Sequence, residues 1–359
     1  MDDFGTTLIH GGDAQSFVMQ YGYPPLDLSA NVNPLGVPQA VLQAICDAAI
    51  DADRYPDPLC RDLRAAIADS EGCQPDRIFC AAGAAEIIYR LAAALTPKRA
   101  LIPVPTFAEY ALALRRQRCA VVRHSLQPEN AFDLTDAILP QLRAGVDILF
   151  LCTPNNPTGR LMDPALLEQI LARCVQEDIR LVVDACFLGF APNPEAYPLK
   201  QMLLRYDKLV VLKAFTKLYG MAGVRLGYCL SSDAELIQRL YEVGAPWHVS
   251  SLAQRAGIAA LSQSDYLAQS RRMIAVERPR VQVALADLGF HVVASQANYI
   301  LFFCSLPQLD EALRRRGVLI RNCANFDGLG VGWYRVAVRT PPENDRLILA
   351  LRQIAEGIP

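Results

Sequence analysis

Residues 148–159 read ILFLCTPNNPTG, an unbroken apolar run that ends on Thr153-Pro154-Asn155-Asn156-Pro157-Thr158-Gly159. A short apolar run with no polar alternation fits a strand buried on both faces, as in a parallel sheet. Asn, Pro and Gly dominate turns, so by itself the second half reads as a turn. Placed directly after a buried strand it reads as more than that, because open α/β sheets bind ligands at the carboxyl ends of their strands.

The same arrangement recurs on either side. Between about residues 76 and 230, short β-branched runs alternate with longer amphipathic ones. The pattern predicts strands at Arg77–Cys80, Ala100–Val104, Ala120–His124, Ile148–Cys152, Leu181–Asp184 and Leu209–Ala214. It predicts helices at Ala85–Leu95, Phe107–Arg116, Pro164–Glu177 and Tyr197–Arg205. Such alternation implies a mostly parallel sheet covered by helices. Five unusual segments (Ala81–Glu86, Pro105–Tyr110, Thr153–Gly159, Asp184–Phe187 and Phe215–Gly227) each follow a different strand and are expected to line one site.

After Pro246-Trp247 the rhythm changes to two long helical stretches, about 250–262 and 265–288. Strands are then expected at His291–Ala294, Tyr299–Phe303, Val318–Arg321 and Tyr334–Val338, with helices Leu309–Arg316 and Glu343–Ile354. The expected organisation is an N-terminal arm (1–34) packing with the small domain, a large domain (35–245) and a smaller α+β domain (246–359).

Composition limits what such a protein does. The chain has 359 residues, 52% hydrophobic and 20% charged, so it is globular rather than disordered. A formal net charge of −2 excludes a general attraction for nucleic acid or an anionic membrane. Any anionic ligand must meet a local cluster of cations. The opening MDDFGTTLIHGG lacks the basic and apolar regions of a signal peptide, and no run of about 18 apolar residues is present. Eleven scattered cysteines, without a CxxC or a metal-type pairing with the four histidines, imply reduced thiols and a cytoplasmic location. Disulfides and a metal site are not expected.

Certain residues stand out chemically. Only five basic residues are Lys, and Lys217 sits in KAFTKLYGMAGVRLGY between a strand and a small-residue loop. A lysine that forms an imine needs a rigid mount and a lowered pKa; Lys213 suits this less because it falls within the strand. Asp184 ends the buried run LVVD, where a carboxylate is costly unless it meets a cation. The plainer alternative is a helix cap. Ala82-Gly83-Ala84-Ala85 opens a helix whose free N–H groups suit a phosphate, with Thr216 and Arg225 able to complete the cup. In YRVAVR the period of two puts Arg335, Ala337 and Arg339 on one face, and Arg321 ends the neighbouring candidate strand. Such arginines fit either a solvated edge or a substrate bearing carboxylate and phosphate.

TPNNPTG, the Asp after a hydrophobic strand and TKLYGMAGVRLGY together resemble the fold-type I, aspartate-aminotransferase-like enzymes that use pyridoxal phosphate (PLP). IHGGD, LDLSANVNPLGVP, RYPDP, PTFAEY, LIRNCANFDGLG and YRVAVR are similar to the L-threonine-O-3-phosphate decarboxylases of cobalamin biosynthesis, over nearly the whole chain from about His10. The histidinol-phosphate aminotransferases share the framework but match less well at both ends.

The resemblance implies an α/β fold with a mostly parallel sheet in the large domain and a smaller α+β C-terminal domain. It implies that Lys217 carries PLP, with Asp184 on the pyridine nitrogen, Asn156 on the phenolate oxygen and Tyr110 stacked on the ring. Ala84, Ala85, Thr216 and Arg225 would hold the cofactor phosphate. Tyr55 would reach the phosphate of the neighbouring subunit's cofactor in a homodimer. Substrate contacts would come from His10, Gly11, Asn31, Asn156, Arg321 and Arg335. The chain departs from the family pattern at Ala82–Ala85, at Ala214 where a hydroxyl residue is common, and at Ala185-Cys186-Phe187 after the Asp. An aminotransferase presents the substrate's Cα–H bond for cleavage and a decarboxylase presents its carboxylate, so the grip of the arginines separates the two. A non-catalytic binding dimer is disfavoured by the joint presence of Lys217, Asp184 and Asn156.

Overall fold

The computed structural model describes residues 10–357; residues 1–9 of the expected arm lie outside the described residues. The arm forms the helix Ala14–Tyr21, opened by the Asp13 carboxylate accepting from the Ser16 N–H. It continues into strand β1 (Leu26–Asp27), which pairs in parallel with Val318–Leu319. Leu28 N–H donates to the Leu319 carbonyl and Ala337 N–H donates to the Leu28 carbonyl. The arm is thereby stitched into the C-terminal part of the chain.

The large sheet has seven strands: β2 (Ile78–Ala81), β3 (Arg99–Val104), β4 (Ala120–Ser125), β5 (Ile148–Cys152), β6 (Arg180–Asp184), β7 (Leu209–Ala214) and β8 (Gly227–Ser231). Their order is β2-β8-β7-β6-β5-β3-β4. Alternate side chains pack into separate layers. Leu149, Leu151, Leu181 and Val183 enter one core, with the helices Arg61–Glu71, Pro164–Glu177 and Ser251–Leu261. Ile148, Phe150, Val182 and Val210 enter the other, with Ala84–Leu95 and Ala234–Glu242. Burial on both faces explains why these strands show no polar alternation in sequence.

One strand was not anticipated. β8 runs antiparallel to both β7 and β2, so the sheet is mixed. Its residues GYCLS, opened by a glycine, merge in sequence with the loop that precedes them. Because β8 is antiparallel to both neighbours, β2 still points the same way as β7. The carboxyl ends of β2, β3, β5, β6 and β7 therefore share one edge, and the five unusual segments meet there.

The second sheet contains β9 (His291–Val292), β10 (Tyr299–Phe303), β12 (Arg321–Asn322) and β13 (Trp333–Ala337) in the order β12-β13-β10-β9, all antiparallel. The expected single strand Val318–Arg321 is corrected: it divides into β11 (Val318–Leu319), which pairs with β1, and β12, which pairs with β13. The chain changes partner at Ile320 because the arm covers one stretch and the antiparallel sheet takes the next. Helix Pro341–Ala355 closes the unit behind a capping box of Thr340 and Glu343. Helix Ser251–Leu261 lies beyond the expected boundary at 246, yet its Ala253, Ala256 and Ala260 pack in the large sheet's core. Among the described residues no helix is long and apolar enough to cross a membrane, and no cluster of side chains is suited to a metal.

The loop after β1 reaches the far side of the site. Asn33 N–H donates to the Lys217 carbonyl at 3.0 Å, and its Nδ2 donates to the Leu218 carbonyl at 2.7 Å. Gly220 completes this clasp with φ +66°, and a Cβ there would stand 2.5 Å from the Gly36 carbonyl oxygen. Gly220→Ala is therefore expected to cost at least about 2 kcal/mol in stability, because both the left-handed backbone and the close approach exclude a methyl group. Urea unfolding of the two proteins measures this.

Candidate active site

At the shared strand edge lies a cavity of about 480 Å³. Of the residues expected to hold the cofactor or the substrate, all except Tyr55 line it.

Lys217 projects from the helical turn Phe215–Leu218, directly after β7. Its amine is buried, and that desolvation, followed by the fields of the Arg335 and Arg225 guanidinium groups, lowers its pKa to about 8. Lys213 is committed elsewhere: its Nζ lies 2.7 Å from Oε1 of the buried Glu71, which also accepts from the Tyr228 hydroxyl at 2.6 Å. Only one of the two lysines on this segment is left for the cavity.

Asp184, the last residue of β6, is buried and accepts from neutral donors. The Tyr110 hydroxyl donates to Oδ2 at 2.6 Å and the Cys186 N–H to Oδ1 at 3.0 Å. Burial and the Asp184 charge push the Tyr110 phenol well above its usual pKa. Tyr110 stacks on Phe150, with ring centroids 5.1 Å apart. Its structural partners are thus a ring behind it and the carboxylate beside it.

At the opposite wall the helix Ala84–Leu95 begins with no side-chain cap at Gly83. Glu86 turns back and accepts from the Ala82 N–H at 2.8 Å, and Arg90 Nε holds its other oxygen at 2.7 Å. The Arg225 guanidinium lies against Gly83 so closely that a Cβ there would stand 2.8 Å from Nη2. Ala84, Ala85, Thr216 and Arg225 therefore form a small cationic cradle around the uncapped N–H groups. The alanines at 84 and 85 leave that cradle open.

The two asparagines of TPNNPTG have different tasks. Asn155 is structural: Nδ2 donates to the Pro105 carbonyl at 2.9 Å, and Oδ1 accepts from the Thr106 hydroxyl at 2.8 Å. Asn156 faces the cavity, where its Oδ1 accepts from Arg335 Nη1. Arg335 Nη2 donates to the Ser29 carbonyl at 2.9 Å, and the guanidinium lies over the Tyr299 ring. Arg335 Nε and Asn31 Oδ1 are buried without a partner among the described residues.

Arg321 and Arg335 are register partners across β12 and β13. Like charges directly opposite on a sheet repel. Both line the cavity, and burial lowers the pKa of each, with the Arg335 charge lowering that of Arg321 further. An anion between them relieves the repulsion. His10 and Gly11 complete the rim.

Tyr55, and Arg339 of the strand motif, stand apart. Tyr55 is 82% exposed and packs beside Trp247 at 4.8 Å, away from this cavity. Arg339 lies past the end of β13, where it pairs with Glu343 at 3.0 Å rather than sharing the pocket face with Arg335. Ser29, Phe107, Glu109, Cys152, Cys186 and Phe326 line the cavity without having been singled out as contacts. Glu109 and Phe326 lie within the motifs PTFAEY and LIRNCANFDGLG, the one signal that marked them.

The chemistry of this donor set fits PLP. The cavity offers a neutralisable amine, a buried carboxylate suited to a cationic ring nitrogen, an amide at Asn156 and an anion cradle at a helix start.

Residues 23–351 match the family described as aminotransferase class I and II. The chain is 38% identical over 355 residues to the threonine-phosphate decarboxylase of Salmonella typhimurium, covering 97% of each chain. Among solved structures it is similar to the L-threonine-O-3-phosphate decarboxylase of Porphyromonas gingivalis, with a TM-score of 0.83, 25% identity and coverage of 92% of this chain and 99% of that one. It is also similar to the histidinol-phosphate aminotransferase of Clostridium acetobutylicum, with a TM-score of 0.86, 28% identity and coverage of 92% and 99%.

The buried amine has a measurable cost. Below about pH 8 Lys217 is protonated both folded and unfolded, and the folded state bears the full penalty. Between pH 8 and 10.5 the unfolded chain alone keeps the proton, so stability rises with pH. In cofactor-free protein, Lys217→Met should gain about 3 kcal/mol at pH 7, with the gain shrinking to nothing near pH 10.5. Denaturant titrations across this range test it; a gain independent of pH contradicts the assignment.

Proposed function

The chain belongs to the aminotransferase class I and II family, and on that premise we propose that it decarboxylates L-threonine O-3-phosphate. The products are carbon dioxide and (R)-1-amino-2-propanol O-2-phosphate, the linker of the cobalamin nucleotide loop. The observation that carries the reading is the facing pair Arg321 and Arg335, two cations placed for a substrate with two anionic groups.

PLP is the cofactor. When bound, it supplies an electron sink for the pair left on Cα as the bond to the carboxylate breaks. Ala84, Ala85, Thr216 and Arg225 would hold its phosphate, Asp184 its ring nitrogen and Asn156 its phenolate oxygen. Tyr110 would lie against its ring. The working unit is a homodimer in the cytoplasm, with Tyr55 of each subunit reaching the other's cofactor phosphate. Its exposed ring beside Trp247 suits that role.

Substrate recognition falls to the remaining lining residues. Arg321, with His10 and Gly11 on the rim, meets the phosphate. Arg335 orients the carboxylate and brings its unpartnered buried Nε–H to it, with Asn31 lining the cavity beside them. Lys217 delivers a proton to Cα after carbon dioxide leaves. A pKa of about 8 lets its amine hold and release that proton near neutrality. The products then contain every atom of the substrate plus this one proton.

A histidinol-phosphate-type aminotransferase is the second reading, favoured by the TM-score of 0.86 to such an enzyme. The two separate on one assay. Phosphothreonine should release carbon dioxide without 2-oxoglutarate; transamination that requires the oxoacid would favour the alternative. Arg321→Ala or Arg335→Ala should lower kcat/KM by about 30- to several-thousand-fold, the loss of one buried charge-assisted contact. Arg321→Ala should also lose the preference for phosphorylated over unphosphorylated threonine. Retention of both rate and preference would place the phosphate elsewhere.

A further inference from the structure

Glu109 is a second carboxylate, in addition to Asp184, on the wall of a cavity lined by Arg225, Arg321 and Arg335. Both of its oxygens are engaged. Oε1 lies 2.5 Å from His10 Nε2, and Oε2 accepts from the Tyr89 hydroxyl at 2.6 Å. Tyr89 comes from the helix Ala84–Leu95 and Glu109 opens the helix Glu109–Arg116, so the carboxylate is anchored on two elements of the large sheet. The guanidinium of Arg116 lies 4.8 Å above the Tyr89 ring. His10, by contrast, belongs to the arm, ahead of its first helix, and its side chain is 44% exposed. Among the described residues, Phe107 packs beside the ring at 5.5 Å, and Gly12 N–H ties the adjoining backbone to the Ser29 hydroxyl at 2.7 Å.

We propose that Glu109 is a positioning residue, which fixes the His10 imidazole on the cavity rim so that Nδ1 meets the anionic group of the substrate. With Nε2 occupied by Glu109, Nδ1 is, among the described residues, the nitrogen that remains for a ligand. His10 borders both the deep cavity and the outer cleft that carries Arg115, Arg123 and Arg321. An anion arriving through that cleft finds the imidazole between itself and Glu109, an arrangement in which both ring nitrogens donate. The His10 hydrogen bond is the first cause that keeps the Glu109 carboxyl below its usual pKa, so Glu109 stays ionised and brings its charge to the pair. Two donors absorb that charge and limit its repulsion of an anionic substrate. The same contact ties the arm to the large sheet at the mouth of the site.

This inference rests on the phosphothreonine reading above, and a double-mutant cycle separates the two. Purified holoenzyme should show a KM for phosphothreonine raised about tenfold by Glu109→Gln, the scale of one hydrogen bond to a charged group, with kcat changed less than about threefold. In a His10→Ala background the same substitution should leave KM within about twofold, because a positioning residue has no effect once its target is gone. Additive losses in the cycle, or a fall in kcat at constant KM, overturn the proposal. If Glu109→Gln does not fold, Tyr89→Phe is read in the same cycle and should raise KM about threefold only while His10 is present. Absence of carbon dioxide release by the wild-type enzyme overturns the decarboxylase reading instead.

Discussion

Four cationic side chains, Lys217, Arg225, Arg321 and Arg335, share one cavity with the deeply buried carboxylate of Asp184. Charges of one sign do not gather in a low-dielectric space unless the scaffold holds them there. Arg335 is held by the Asn156 amide oxygen, the Ser29 carbonyl and the face of Tyr299. Arg225 is held by the Ala222 and Ala82 carbonyls, and the Asn325 amide oxygen takes Arg321. Neutral acceptors orient the Arg335 and Arg225 guanidinium groups without cancelling their charge. The charge is thereby kept for ligands, and it also shifts the Lys217 amine towards the neutral form that chemistry at this site requires.

Holding those groups together takes three distant parts of the chain. The parallel strands bring Asp184, Asn156 and Lys217 to one edge. The antiparallel sheet brings Arg321 and Arg335 opposite that edge. The arm bridges them, since β1 pairs with β11 while Asn33 clasps the Lys217 turn. The arm's residues 29–31 thus join the wall of the cavity by backbone hydrogen bonding on both sides. Glu109 and His10 add a second tie at the mouth.

Much of this was legible in the residues. The buried strands showed themselves as apolar runs, and the strand-end segments carried unusual residues in each case, so their convergence followed from the general rule for open sheets. Lys217 could be preferred to Lys213 from its place after the strand, although the reason Lys213 is excluded, its ion pair with Glu71, joins residues 142 positions apart. β8 was hidden because its glycine-led sequence continues a loop. The division of Val318–Arg321 was hidden because four residues of uniform strand character serve two different partners. Arg339 has the right period for the pocket face, but the strand ends before it and Glu343 takes its charge.

The sequence by itself determined the alternation of buried strands and helices and the edge at which ligands meet the sheet, and it marked Lys217, Asp184 and the TPNNPTG asparagines as candidates for that edge. Those are local properties, set by side-chain period, apolar runs and the residues that follow them. Tertiary structure alone decided which arginines face each other, that Asn155 braces while Asn156 serves the cavity, and that Glu109 holds His10. Each of these depends on register or on a contact between segments far apart in the chain. A period of two states which residues share a face, and only the fold states what that face meets.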